Sequence, residues 1–505
     1  MTTKHGIIYC CVFLTALNAS ADHIESHEKL RLVTKEQSLG KVHPGIMHET
    51  IELSPDNKRV VYSAFKLNGK VVVVLDGVES EEYDDVDNFV FSFDSNKFAY
   101  AATSNKKWFA VVDGKRQKEY ERLGAQTIKF SPDNKRFCYM AWEPSKNRQF
   151  VVVDGMEQEK YVGIFIGLPI FSSDSKKVVY GARKGNKNVV VVDGNEDKLY
   201  DAIAGPTLSP DGKHWAYAAQ RGKHWLVVVD GKESEEEYDG IYEDCITFSP
   251  NSKRLAYSAA KNGKGFVVVD GKAGKLYDVI DNGNIVFSSD SKRFAYRAIR
   301  DKKQFYVIDA KEGKAYDGVG GGTLIFSSDN NRVAYMALEN NEEFVVLDGQ
   351  EDKKYGGISP PVFNPVNNTL AYSAKQNEKR FVVNNGKEGG NYNITGIPVF
   401  SPDGKHIAYR AKRTEKQIVV RDAKEGKEYD EISQSSLMFT SDNKHVIYRA
   451  GEDGKAYVVV DGLESKSYDI IFQMGEFIFS DPNSFNFIAL CDEEFFAVDI
   501  HIVED

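Results

Sequence analysis

From residue 46 onward, short apolar segments alternate with polar turns at a fixed long period. Residues 248–280, FSPNSKRLAYSAAKNGKGFVVVDGKAGKLYDVI, show one complete unit. An IxFS segment runs into Ser-Pro-Asp-Gly or a variant of it, in which Pro presets φ and Gly or Asn accepts a left-handed backbone. RLAYSAA, FVVVD and KLYDVI follow, rich in β-branched and aromatic residues, and Asp-Gly after the valines marks a tight hairpin. Each unit therefore predicts four short strands. Residues 71–74 and 189–192 are valine at every position. A strand with one wet face would alternate, so these strands are expected to be buried on both faces.

The second-strand aromatic recurs as Tyr at eleven positions from Tyr62 to Tyr448, spaced 37 to 39 residues with two intervals of 40 and 41, and a twelfth time as Phe487. The Asp-Gly position gives the same count, from Asp76 through Asn385 to Asp499. Repetition at this period predicts an all-β fold, a β-propeller of twelve four-stranded repeats of about 39 residues. One barrel would not reuse a single turn pattern at this spacing, and a helical solenoid needs a 3.6-residue period that is absent. Propellers usually have four to eight blades, which favours two rings of six, residues 46–283 and 284–505. Seven plus five, divided at the glycines of 318–322, and one large ring are the alternatives. The last unit ends after its third strand, and GKVHPGI at 40–46 leads into Leu53 as GKEYDEI at 426–432 leads into Phe439. The segment 22–45 is thus expected to supply the missing strand and clasp the ends together.

FSPDGKHIAY (400–409), LSPDGKHWAY (208–217) and FSPDNKRFCY (130–139) resemble the repeat of the WD40-like, TolB-type propeller family, the PD40 repeat. The resemblance spans nearly all of the chain after the first residues. It implies a periplasmic interaction protein, or the non-catalytic propeller of a peptidase of the prolyl-oligopeptidase kind.

Composition narrows the setting. Lys4 and His5, an apolar run over 6–17 and Ala19-Ser20-Ala21 read as a cleaved export signal, residues 1–21, placing the protein in the periplasm, at the cell surface or outside the cell. A net charge of −10 disfavours nucleic acid as a partner. No later stretch is apolar for long enough to span a bilayer. Cys138, Cys245 and Cys491 have no CxxC or paired spacing, and Cys138 stands where Ala99 and Ala295 stand in sister units, a small core position.

Catalytic patterns are missing from the sequence: no Gly-x-Ser-x-Gly elbow, phosphate loop, HExxH or EF-hand series occurs. The chain is therefore expected to be a non-enzyme without a cofactor, metal or catalytic residues. His214, His406 and His445 replace the arginines of other units and read as surface substitutions, and His43, His48 and His224 assemble into no site by spacing. The Tyr-Asp pair that opens the fourth strand recurs too often to be an active site, so Tyr is expected to pack and Asp to satisfy donors. Function is expected where the copies differ, on one rim of the funnel. The candidates there are Trp108, Trp142, Lys146, Arg148, Phe165, Arg183, Lys223, His224, Tyr242, Glu243, Asp244, Asp281, Asn282 and Gln473, an acidic inner zone within a basic, aromatic rim. The leading expectation is an exported scaffold that binds a protein partner. The alternatives are a carbohydrate-active enzyme, a polysaccharide lyase or hydrolase, and a propeller that binds a small ligand.

Overall fold

The computed structural model describes residues 30–504 except 243–244, 282–284 and 473–476, and excepts the side chains of 166–168. The stretch expected to be an export signal, residues 1–21, lies outside the described residues.

Twelve antiparallel sheets follow one another along the chain. The seventh shows how one is made. Its innermost strand comes in two pieces, Val279–Ile280 and Val286–Phe287, both paired with Phe294–Arg300. Lys303–Ile308 and Lys311–Glu312 complete it outward. In blades two, four and five the inner strand is continuous but bulged, as between Asp87 and Val90. KLYDVI was expected to be one fourth strand; it is divided between two sheets. Lys272–Ala273 and a bridge from Tyr277 to Gly265 edge the sixth sheet, whereas Val279–Ile280 opens the seventh. The chain changes sheets at Asp278, whose N–H donates to the Ile299 carbonyl of the next blade at 3.0 Å.

The Asp-Gly turns have both residues left-handed, as in Asp270 (φ 52°) and Gly271 (φ 75°), the type I′ geometry that matches the twist of the paired strands. In the first turn of each unit, the Asn of Ser-Pro-Asp-Asn at 134 (φ 60°) and the Gly of Ser-Pro-Asp-Gly at 404 (φ 70°) take the left-handed position.

The valine runs are divided between neighbours. Val268 and Phe266 belong to the core shared with blade five, while Val267 and Val269 belong to the core shared with blade seven. Alternation thus points each side chain at one adjacent sheet or the other, and both faces are apolar because both are covered. Such cores join every consecutive pair of blades. The one between blades six and seven (Val267, Tyr277, Ile285, Tyr296) is built like the rest. A further core joins blade twelve to blade one through Leu39, Tyr62, Val74, Ile488 and Phe495. These contacts describe the one-large-ring arrangement. A regular ring of twelve sheets about 10 Å apart, with strands about 4.8 Å apart, would have roughly 24 Å between facing inner backbones.

Leu30–Lys41 closes the ring as the outermost strand of blade twelve, antiparallel to Glu494–Glu504. It begins ten residues before the 40–46 stretch whose alignment pointed to it. Glu36 accepts from Tyr468 Oη at 2.8 Å and Lys466 Nζ at 3.0 Å, just as Glu464 accepts from Tyr429 and Lys427 one blade earlier. Removing residues 1–41 should expose the Glu494–Glu504 edge and produce strand-exchanged oligomers, visible by light scattering after size exclusion. The Leu39→Ala variant should lose about 2–5 kcal/mol in denaturant unfolding, the cost of deleting a buried leucine.

Candidate binding surfaces

The recurrent charged residues are held between blades. Asp317, of the Tyr-Asp pair, takes Lys303 Nζ of its own blade at 2.6 Å and the Asn340 N–H of the next blade's hairpin tip at 2.8 Å. Asp84, Asp201, Asp278, Asp430 and Asp469 make the same pair of bonds with a lysine and a tip amide. The lysine bond, helped by the tip N–H, keeps each carboxyl below the usual aspartate range. The tyrosines are buried and raised by that burial, and many donate across the interface, as Tyr277 does to Glu312 at 3.2 Å. Tyr and Asp therefore do the packing and donor-satisfying expected of them.

The aspartates of Asp-Gly are also committed. Asp270 takes the Leu255 N–H at 3.2 Å and Arg254 Nε at 2.9 Å. His214, His406 and His445 make this bond in place of arginine, with Nδ1 at 2.6 to 2.7 Å from Asp230, Asp422 and Asp461. The surface reading needs correction for His445, which is only 4% exposed. Burial pulls its pKa down, but Asp461, Asp442 and Glu504 outweigh that and raise it. Cys138 is fully buried, which pushes its thiol up to about 12, in keeping with a core role. Among the described residues, Asp469, Cys491 and Asp492 come within metal-ligating distance of one another, but Lys455 already holds Asp469.

The candidate rim residues separate into three groups. Lys146, Arg148, Arg183, Lys223 and His224 are exposed at the tips between second and third strands, with Lys146 3.6 Å from Glu143. Trp108 and Trp142 are half-buried within the blades: Trp108 packs against the core of blades two and three, and Trp142 lies opposite Arg122, whose guanidinium is 5.6 Å from its ring. Phe165, Tyr242 and Asp281 stand on the inner strands, where Phe165 joins the core between blades four and five and Asp281 pairs with Arg297 at 2.7 Å. Glu243, Asp244, Asn282 and Gln473 lie outside the described residues. The described inner bulges are mostly small and uncharged, as in Gly320-Gly321-Gly322, Ser359-Pro360-Pro361 and Gly396-Ile397-Pro398, rather than acidic. Among the described residues, the inner cation Arg449 lies with its guanidinium 5.8 Å from the Phe477 ring. Arg449 is 8% exposed and gives Nη1 to the Phe472 carbonyl at 2.8 Å, and burial pushes it down to about 10.

A cavity of about 610 Å³ at the joint of blades twelve and one has no counterpart in the sequence reading. Val42, Ile46, Ile51, Phe472, Leu490 and Phe495 form its apolar wall, and His43, His48 and Glu493 add polar groups. The repeat lapses here: His43-Pro44 stands where Tyr-Asp stands in GKEYDEI. His43 occupies the tyrosine's place at 3.5 Å from Glu79, and Pro44 has no carboxylate to pair with a lysine or a hairpin tip. The signal was present in the alignment of 40–46 with 426–432, but the missing staple became visible only beside its neighbours.

No protein-family model and no curated protein matches the chain. Solved structures similar to it include a eukaryotic initiation factor, 11% identical over 63% of this chain and 90% of that one, with a TM-score of 0.33. The β-propeller domain of the Trilobed protease from Pyrococcus furiosus is 16% identical over 53% of this chain and 96% of that one, at 0.26. TolB from Acinetobacter baumannii is 13% identical over 53% and 77%, at 0.23.

Two outcomes follow from the staples. Each aspartate is held below its unfolded pKa, so its stabilisation is complete above the ordinary value of 3.8 and is lost as pH falls through the folded value. Thermal midpoints should therefore stay level from neutral pH to about 5 and fall below about 4. Replacing His43-Pro44 by Tyr-Asp should supply the tyrosine and the carboxylate that this joint lacks and raise the midpoint in scanning calorimetry, a gain on the order of 1 kcal/mol.

Proposed function

We propose that this chain is an exported β-propeller that binds a protein partner and works by rigid presentation of its hairpin tips, without covalent chemistry. The observation that carries this reading is the fate of the recurrent acids and bases. Tyr-Asp, Asp-Gly and their lysines and arginines are engaged in bonds within and between blades, so the residues available to a partner are those the repeats do not share. On the tips these are mainly basic: Arg148, Arg183, Lys223 and His224 are exposed in successive blades three to five. A basic arc on a chain of net charge −10 suits an acidic surface on the partner. Export rests on the signal-like residues 1–21.

A small-ligand role is the second reading, favoured by the cavity at the ring joint. Its size falls within the range of small-molecule sites, roughly 300–1,000 Å³, and its wall is apolar with a few polar groups, as such sites are.

The test is affinity capture from an envelope extract by the mature protein, alongside a triple variant Arg148→Glu, Arg183→Glu and Lys223→Glu. The same partner should be recovered by the parent and lost, by about ten-fold or more, with the variant, while the circular dichroism spectrum and thermal midpoint stay unchanged. Turnover of a polyuronide panel that stops on adding chelator would replace the scaffold reading with an enzymatic one.

A further inference from the structure

The interface of blades nine and ten encloses a cavity of about 470 Å³ on the Asp-Gly side of the ring, away from the hairpin tips. In three sister interfaces the corresponding space is filled by an arginine. Arg136, Arg254 and Arg293 each give Nε to the Asp-Gly carboxylate of their own blade at 2.8 to 2.9 Å. Each also gives Nη1 to two successive carbonyls of the next blade's first hairpin, Ser175 and Lys176, Ser291 and Lys292, or Asn330 and Asn331. The guanidinium carbon then lies 5.5, 5.3 and 5.1 Å from the ring centre of Phe171, Phe287 and Phe326 on that blade's inner strand.

Blade ten obtains the same arrangement from a different residue. His406 stands in the arginine's place, but Arg421, one residue before the Asp-Gly aspartate, reaches the Lys444 carbonyl at 2.9 Å and Phe439 at 5.6 Å. Blade nine lacks both suppliers. Thr369 holds the position of the arginine and Asn384 that of Arg421, while Asn385 replaces the aspartate. The receiving side remains. Phe400, Gly404 and Lys405 of blade ten line the cavity. The Asn364 amide nitrogen donates to the Gly404 carbonyl at 2.7 Å, and the Lys405 carbonyl stands where those of Lys176, Lys292 and Asn331 receive Nη1.

We propose that this cavity receives the arginine side chain of a partner protein. Phe400 offers its face to the guanidinium, and the Lys405 carbonyl and the Asn385 amide oxygen accept its N–H groups, as the sister interfaces do within the chain. The exchange of Asp for Asn fits a ligand that comes and goes. An aspartate would be an uncompensated charge whenever the site stood empty, whereas an amide can be left to water. The proposal rests on the protein-binding reading and adds a site on the opposite side of the ring from the tips.

The experiment titrates the full chain with a blocked glycine-flanked arginine peptide, its lysine counterpart and a neutral disaccharide, followed by calorimetry. The arginine peptide should bind saturably and the lysine peptide about ten-fold more weakly, since the point charge loses the planar stack and fork. Thr369→Arg, which supplies the guanidinium from within, should abolish binding and raise the thermal midpoint. Phe400→Leu should weaken binding by about ten-fold should the first variant misfold. Equal binding of both peptides, no binding of either, retention of binding in a folded Thr369→Arg variant, or saturable binding of the disaccharide alone would overturn the proposal. Partner capture that depends on the tips but is unchanged by Thr369→Arg, together with a silent peptide titration, would overturn this site and leave the scaffold reading standing.

Discussion

A sheet that is apolar on both faces needs a neighbour on each side, and the rest of this structure is a consequence of meeting that need twelve times. Val267 and Val268 are adjacent in the chain yet belong to different cores, one shared with blade seven and the other with blade five. Linear stacking would leave one bare face at each end. Joining blade twelve to blade one through Leu39, Ile488 and Phe495 removes both, and Leu30–Lys41 covers the last strand edge at the same joint. Burial on this scale is non-directional, so it explains why the blades pack but not how they are indexed against one another.

Indexing comes from the polar bonds at each boundary. A carboxylate such as Asp317 that holds a lysine on one blade and a tip amide on the next fixes the offset of the two sheets. Its Tyr neighbour, buried in the same boundary, adds a hydroxyl bond across it where a Glu is in reach, as between Tyr429 and Glu464 at 2.9 Å. These groups look like catalytic material in a list of residues. Their geometry shows what they are engaged in: each oxygen of the Asp317 carboxylate already accepts a bond, and the neighbouring Tyr316 is buried.

Sites then arise where the scheme lapses. At the ring joint, Pro44 cannot accept the bonds an aspartate would, and an apolar cavity with two histidines opens. Between blades nine and ten, Thr369 and Asn384 leave unfilled the space that arginine takes elsewhere, above the ring of Phe400. Both lapses keep the fold because the ten other boundaries carry their own core contacts, and a ring closed by many similar interfaces tolerates a weak one. The wide opening of a twelve-bladed ring puts opposite inner strands beyond one another's reach, so a ligand is better held within a boundary than across the centre.

Much of this was legible in the chain itself. The period, the four strands, the left-handed turn residues and the double-sided burial of the valines are local consequences of side-chain shape and alternation, and they read directly from residues such as Asp270-Gly271 and 266–269. The structural role of Tyr-Asp followed from its recurrence alone. What required the tertiary structure was everything set by the partner across a boundary. KLYDVI divides between two sheets because Asp278 finds its acceptor in the next blade, and Trp108 packs into the core shared with blade three while Trp142 lies against Arg122 of its own sheet. The number of blades in a ring depends on the small angle between successive sheets, which no single repeat contains. The two cavities depend on atoms missing from one blade and expected by another, and an absence of that kind has meaning only once the blades stand side by side.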